Sequence, residues 1–181
     1  MNRQENFGRA LRLLYVLLLC VAACDDAQDR GTFIIRSGAF GENEALSNKY
    51  ACGSGISPPL TFSQIPQGVK SLVVILEDPD RISGTYTHWM LWGLPSAVVL
   101  PADIETYPID GAVSGTADDG KTVGYLGPCP PKGETHRAVF IALGLDEAPS
   151  LARGADRAAL DRATAGHIIA EARLTGKAVG L

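Results

Sequence analysis

Apolar and β-branched residues fall in short runs along this chain, separated by glycine, proline and acidic side chains. "SLVVILED" (71–78) and "HRAVFIALGLD" (136–146) are apolar, β-branched runs, the pattern of core strands. "THWMLWGLP" (87–95) reads the same way, and "TFIIR" (32–36) and "LTFSQIP" (60–66) are shorter strands that run into turns. Residues 37–59 are rich in Gly, Ser, Asn and Pro, and residues 101–134 in Gly, Pro and Asp, so both predict long irregular excursions. After Pro149 the texture changes. "ADRAALDRATAGHIIAEARL" (155–174) is Ala-rich, with Asp156 placed as an N-cap, and predicts one or two short helices broken at Ala165-Gly166. "GKAV" (176–179) then predicts an edge strand. Strands first and helices last, without alternation, predict a mostly β fold. It is an antiparallel β core carrying short C-terminal helices, not a parallel α/β sheet.

The first residues must be set apart from that fold. "MNRQENFGRALR" carries three Arg against one Glu, and "LLYVLLLCVAA" follows as an apolar run shorter than the roughly 20 residues of a membrane span. It ends in "VAAC", small residues before Cys24, which predicts a lipoprotein leader (1–23), acylation of Cys24 and an acidic tether (24–31) ahead of the folded body (32–181). An ordinary secretory leader or an uncleaved anchor is the alternative, and every version exports the domain. The expected location is the bacterial cell envelope, lipid-anchored and facing the periplasm. Loss of residues 1–23 leaves 13 basic against 19 acidic side chains, so the formal charge moves from −4 to −6. Such a body lacks the basic face that a nucleic-acid partner needs, and any membrane attachment falls to the lipid. Cys52 and Cys129 remain in the body without a CxxC partner. In an exported protein that pair predicts a disulfide, with two buried free thiols as the alternative.

Three clusters carry the candidate chemistry: "DPD" (78–80), "THW" (87–89) and "GPCPPKGETHR" (127–137). Each adjoins a strong strand, so all three can meet at one end of a sheet. Asp78 and Asp80 flank a proline that fixes the backbone. His88 and His136 supply imidazoles that neighbouring carboxylates drive toward the cationic form, and two such donors suit an anion. Two Asp and two His also suit a metal-dependent hydrolase, although their spacing matches no familiar zinc motif. No Ser or Cys sits in a nucleophile elbow. The expectation is a non-enzymatic protein with neither metal nor cofactor.

"SPPLTFSQIPQGVKSLVVILEDPD", "HWMLWGLP", "GPCPPKGETHRAVFIALGLD" and "GHIIAEARLTG" together resemble the phosphatidylethanolamine-binding protein family, in its bacterial Raf-kinase-inhibitor-like branch. The resemblance spans residues 32–181. It implies packed antiparallel sheets and a small surface pocket formed by Asp78, His88 and His136, with Cys129 and Pro130 as a wall and Asp80 beside it orienting the loop. It also implies a ligand class, phosphate-like anions and headgroups such as phosphoethanolamine. The alternative it implies is inhibition or modulation of an envelope protease or other enzyme through the same pocket edge. Three positions depart from the family pattern. Arg81-Ile82 replaces an Ala-Pro pair, Gly93 stands where Asn is common, and Ala138 replaces a pocket tyrosine.

Overall fold

The computed structural model describes residues 32–52 and 55–181. The predicted leader, Cys24 and the tether lie outside the described residues. Among the described residues, eight strands form two antiparallel sheets. The small sheet orders β1 (Ile34–Arg36), β2 (Leu60–Ser63) and β5 (Val99–Leu100) side by side. The large sheet has the order β6-β4-β3-β7-β8, built from β3 (Ser71–Asp78), β4 (Tyr86–Pro95), β6 (Val113–Ser114), β7 (Thr135–Leu145) and β8 (Ile168–Val179).

Both faces of the large sheet are covered, which explains the unbroken apolar runs of β3 and β7. Leu72, Val74 and Leu76 of β3 pack with Phe140 and with Leu60 of the small sheet in one core. Val73 and Ile75 pack with Met90, Trp92 and Leu160 in a second core on the opposite face. Leu160 comes from the helix α1 (Arg157–Thr164), whose N-cap Asp156 accepts a hydrogen bond from the Ala159 amide at 2.8 Å. Arg157 pins that helix to the sheet through an ion pair with Glu77.

The C-terminal segment corrects the sequence reading. α1 is the single α-helix among the described residues, and the second predicted helix is instead the long strand β8. Ala172, Leu174, Gly176 and Ala178 are its buried positions and Glu171, Arg173 and Lys177 are exposed, a period of two. Alanine and glycine at the inward positions hid that alternation, because Ala counts equally toward a helix. "GKAV" is indeed edge strand, as the end of β8.

β4 carries one extra residue against β3 at two places, between the pairs Leu72–Leu94 and Val74–Leu91 and between Leu76–Trp89 and Glu77–Thr87. The first irregularity holds Gly93, whose φ is +74°. This left-handed backbone is one that Gly adopts freely and Asn tolerates. A Cβ here would sit 2.5 Å from the Gly111 carbonyl oxygen, so only glycine fits. Gly93→Ala is expected to lower stability by about 2 kcal/mol in chemical denaturation, from the left-handed conformation and the backbone clash together. An unchanged midpoint would show that β4 repacks around it.

Candidate functional site

The second irregularity builds the site. Asp78 is the last residue of β3 and faces Tyr86, the first of β4. Strict alternation would turn His88 away from the face that carries Trp89. The extra residue between the Leu76–Trp89 and Glu77–Thr87 pairs removes that constraint, as bulges do where a side chain must be re-aimed. The Tyr86 and His88 rings lie 4.8 Å apart. β7 contributes His136 from the other side of β3, on the same parity as the core residues Ala138 and Phe140.

Asp78 and His136 are joined directly. His136 Nδ1 lies 2.7 Å from Asp78 Oδ2, and His136 Nε2 lies 3.1 Å from Glu134 Oε2. The hydrogen bond to Asp78, followed by the one to Glu134, raises the His136 pKa above its ordinary value. Asp78 is buried and its Oδ1 also accepts the Asp80 amide at 2.9 Å, closing the turn around Pro79. The Asp80 carboxylate turns outward. It accepts from the Arg137 amide at 2.8 Å and from the Arg137 guanidinium, which holds its pKa down at about 2. Asp80 thereby locks the end of β3 to the start of β7 and sets His136 against Asp78.

His88 differs from His136 in both charge and bonding. It is 1% exposed, and burial pushes its pKa down to about 4, so the two imidazoles do not act as a cationic pair. Its Nδ1 lies 3.1 Å from the Leu126 carbonyl. A carbonyl only accepts, so Nδ1 carries the proton and Nε2 presents a lone pair. Nε2 is buried and has no hydrogen-bond partner among the described residues. Imidazole signals in an NMR pH titration should therefore separate, with His136 titrating above 6.5 and His88 near 4. Coincident curves would contradict this environment. The linkage has a definite sign. An imidazole with a depressed folded pKa binds protons more readily when unfolded, so His88 stabilises fully above about pH 6.5 and loses about 3 kcal/mol as pH falls toward 4.

Arg81 forms the outer part of the cluster. Its guanidinium carbon lies 4.0 Å from the centre of the Tyr86 ring, and its Nε is 3.8 Å from Asp78 Oδ2. The second distance is too long for a hydrogen bond. Ile82 beside it is fully exposed. The Cys129 loop reaches the cluster through Leu126, and no hydrogen bond or ion pair links Cys129 or Pro130 to Asp78, His88 or His136. Pro130 is buried, while exposed Cys129 forms a disulfide with Cys52. Ala138 is fully buried in the core. Among the described residues, no three His, Cys, Asp or Glu side chains are grouped to hold a metal ion. Two surface clefts, of about 450 Å³ beside β2 and about 210 Å³ beneath α1, are lined by other residues.

Asp78, His88 and His136 come from the strands β3, β4 and β7, with Asp78 bonded to His136 and His88 set against Tyr86. Tyr86, Glu134 and the Leu126 carbonyl were not singled out by sequence. Tyr86 left a trace there as an aromatic directly before "THW", and Glu134 as the acid inside "GPCPPKGETHR".

Residues 36–179 match the model of a protein family described as phosphatidylethanolamine-binding protein. A UPF0098 protein of Pyrococcus horikoshii is 36% identical over 173 residues, covering 91% of this chain and 85% of its own. A UPF0098 protein of Chlamydia trachomatis is 40% identical over 149 residues, covering 78% of this chain and 95% of the relative. Among solved structures, a phosphatidylethanolamine-binding protein homolog from Chlamydia trachomatis superposes with a TM-score of 0.72 at 38% identity. That match covers 81% of this chain and 96% of that one. E. coli YbcL, described as a member of the mammalian PEBP family, superposes with a TM-score of 0.75 at 28% identity, covering 81% and 98%.

Proposed function

Because this chain belongs to the phosphatidylethanolamine-binding protein family, we propose that it is a non-enzymatic binding protein. Its ligand is a small anionic, phosphorylated group, of the kind found in phospholipid headgroups, held at the Asp78, His88 and His136 cluster. The observation that carries this reading is the buried, unpartnered Nε2 of His88. A buried polar atom without a partner costs free energy, and a ligand atom that bonds to it recovers that cost. The Arg81 cation beside it supplies the attraction for an anion. The expected export and the lipid anchor at Cys24 belong to the same proposal, and would place the module on an envelope membrane.

Titration of purified protein with phosphoethanolamine, followed by ligand-observed NMR or calorimetry, tests the reading. Binding is expected in the wild type. His88→Ala should weaken it by about 1–3 kcal/mol, the scale of a hydrogen bond to a charged group. No binding of any phosphate compound by the wild type would remove the proposal. The alternative, modulation of an envelope enzyme, draws on one observation. Ile82 stands fully exposed on the rim of the site, where an apolar tip can enter a partner's surface.

A further inference from the structure

The strands of the large sheet give the folded body two distinct ends. Asp78, Tyr86 and Thr135 stand at the end that carries the candidate site. Ser71, Pro95, Leu145 and Ile168 meet at the other, joined through the register. Asp78 lies seven positions beyond Ser71 on β3, roughly 23 Å at the rise of a strand. The chain enters the body at the end away from the site. Ile34 of β1 stands opposite Ser63, and the Phe33 ring lies 6.4 Å from that of Phe62. From Ser63 a short connection leads directly to Ser71.

That entry end is also the apolar one. Its cleft of about 450 Å³ is lined by Phe62, Ile65, Pro66, Val69 and Ala97 among others. Beside it Ile168 and Ile169 are 48% and 41% exposed. Ile169 is set over Gly68, where an added Cβ would lie 3.5 Å from its Cδ1. Residues 62–70 and 95–100 contain no Asp or Glu and a single cation, Lys70. The carboxylates nearest in sequence are Asp146, which faces His167 at 2.8 Å, and Glu147. The site end, by contrast, gathers Asp78, Asp80, Asp118 and Glu134. An anionic bilayer repels such an end, and an apolar face with few charges suits the headgroup layer.

Resting on the Cys24 anchor proposed above, we infer that the entry end is the body's seat on the bilayer that holds the lipid. Ile168 and Ile169 dip into the headgroup layer, and the Asp78, His88 and His136 end is turned to the water. The length of the intervening chain favours this face. Thr32 follows Cys24 by eight positions. A chain of that length spans roughly 15 Å as a random coil and about 28 Å fully stretched. The first figure suffices to lay the Ile168 face on the surface. Laying the site end there instead puts Thr32 roughly 23 Å above the bilayer, within reach only of a nearly stretched chain. The functional consequence is direct: the site samples the aqueous compartment and not the headgroups of its own membrane.

Lipidated protein in vesicles of phosphatidylethanolamine and phosphatidylglycerol tests this inference. With the leader removed, Cys24 acylated and Cys52 bonded to Cys129, an introduced thiol is the one left to carry a nitroxide. Ala97→Cys and Ile82→Cys place the label at exposed positions on opposite ends. Power-saturation EPR reads lipid contact as the ratio of oxygen to water-soluble nickel accessibility. The ratio should be several-fold higher at position 97 than at position 82. Ile168→Ser with Ile169→Ser, folded by its melting curve, should lose most of that difference while staying in the membrane fraction. Equal ratios, a higher ratio at position 82, or a difference that survives the double change overturns the inference and leaves the anchor standing. Spin–spin coupling at position 97 without lipid contact means that a second copy covers the face, and overturns it too. If Cys24→Ser fractionates like the wild type, the anchor and the inference fall together.

Discussion

Replacing Cys52 and Cys129 together by alanine is expected to lower the unfolding free energy by about 4 kcal/mol, on the chain-entropy argument for a loop of this length. The bond spans a sequence separation of 77 residues. Domains of this size are stable by about 5–15 kcal/mol, so the loss is a large share of the total. The effect should act through the unfolded chain, since the two segments are held together in the folded state by more than sulfur. The Tyr125 hydroxyl donates to the Tyr50 carbonyl at 2.5 Å. Gly127 packs so closely on Ala51 that a Cβ would lie 2.2 Å from the Ala51 carbonyl oxygen. Leu126 and His88 exchange two bonds, the Leu126 amide to the His88 carbonyl at 3.2 Å and His88 Nδ1 to the Leu126 carbonyl. The double variant should therefore keep the wild-type His88 environment by NMR. Its denaturant slope should rise, because an unbridged chain exposes more surface on unfolding. A loss below about 1 kcal/mol would show that the bridge constrains little beyond these contacts.

Much of this arrangement is legible in the sequence, and what is not has identifiable causes. The strands β3, β4 and β7 are apparent because β-branched and aromatic residues fill them and turn residues bound them. The pairing of Asp78 with His136 follows from strands that neighbour each other in the sheet, which family resemblance suggests and periodicity does not. β8 escapes because its inward positions are Ala, Gly and a single Leu, which carry too little hydrophobic contrast to show a period. The orientation of His88 escapes for another reason. It depends on one extra residue in β4, a property of pairing between strands that no single strand encodes. The charge states escape as well. Two imidazoles in one acidic setting look alike in sequence, yet Asp78 reaches His136 at 2.7 Å, while His88 is enclosed and bonded to a carbonyl.

That difference leads to the second large effect, at Asp78. Asp78→Ala removes the acceptor for His136 Nδ1, the acceptor for the Asp80 amide and the partner that faces Arg81. Removing one member of a buried charged pair typically costs 3–5 kcal/mol, and the half-open position of Glu134 beside His136 argues for the lower end, about 3 kcal/mol. The loss should depend on pH with a sign set by His136. Its folded pKa is raised, so the stabilisation from its proton is fully present below the unfolded value of about 6.5 and fades as pH rises through the folded value. Above that point the wild-type protein keeps a buried Asp78 beside a neutral imidazole, and the variant has less to lose. His88 acts in the opposite sense and lower range, withdrawing stability as pH falls from 6.5 toward about 4. The two imidazoles thus bound a window of greatest stability from either side. Asp78→Ala should flatten its alkaline limb and leave the acid limb, which belongs to His88, largely in place. Denaturation of both proteins at about pH 6 and about pH 9 decides this: a cost that is the same at both would mean that Asp78 acts as a turn-former for Asp80 and not as the counter-charge of His136.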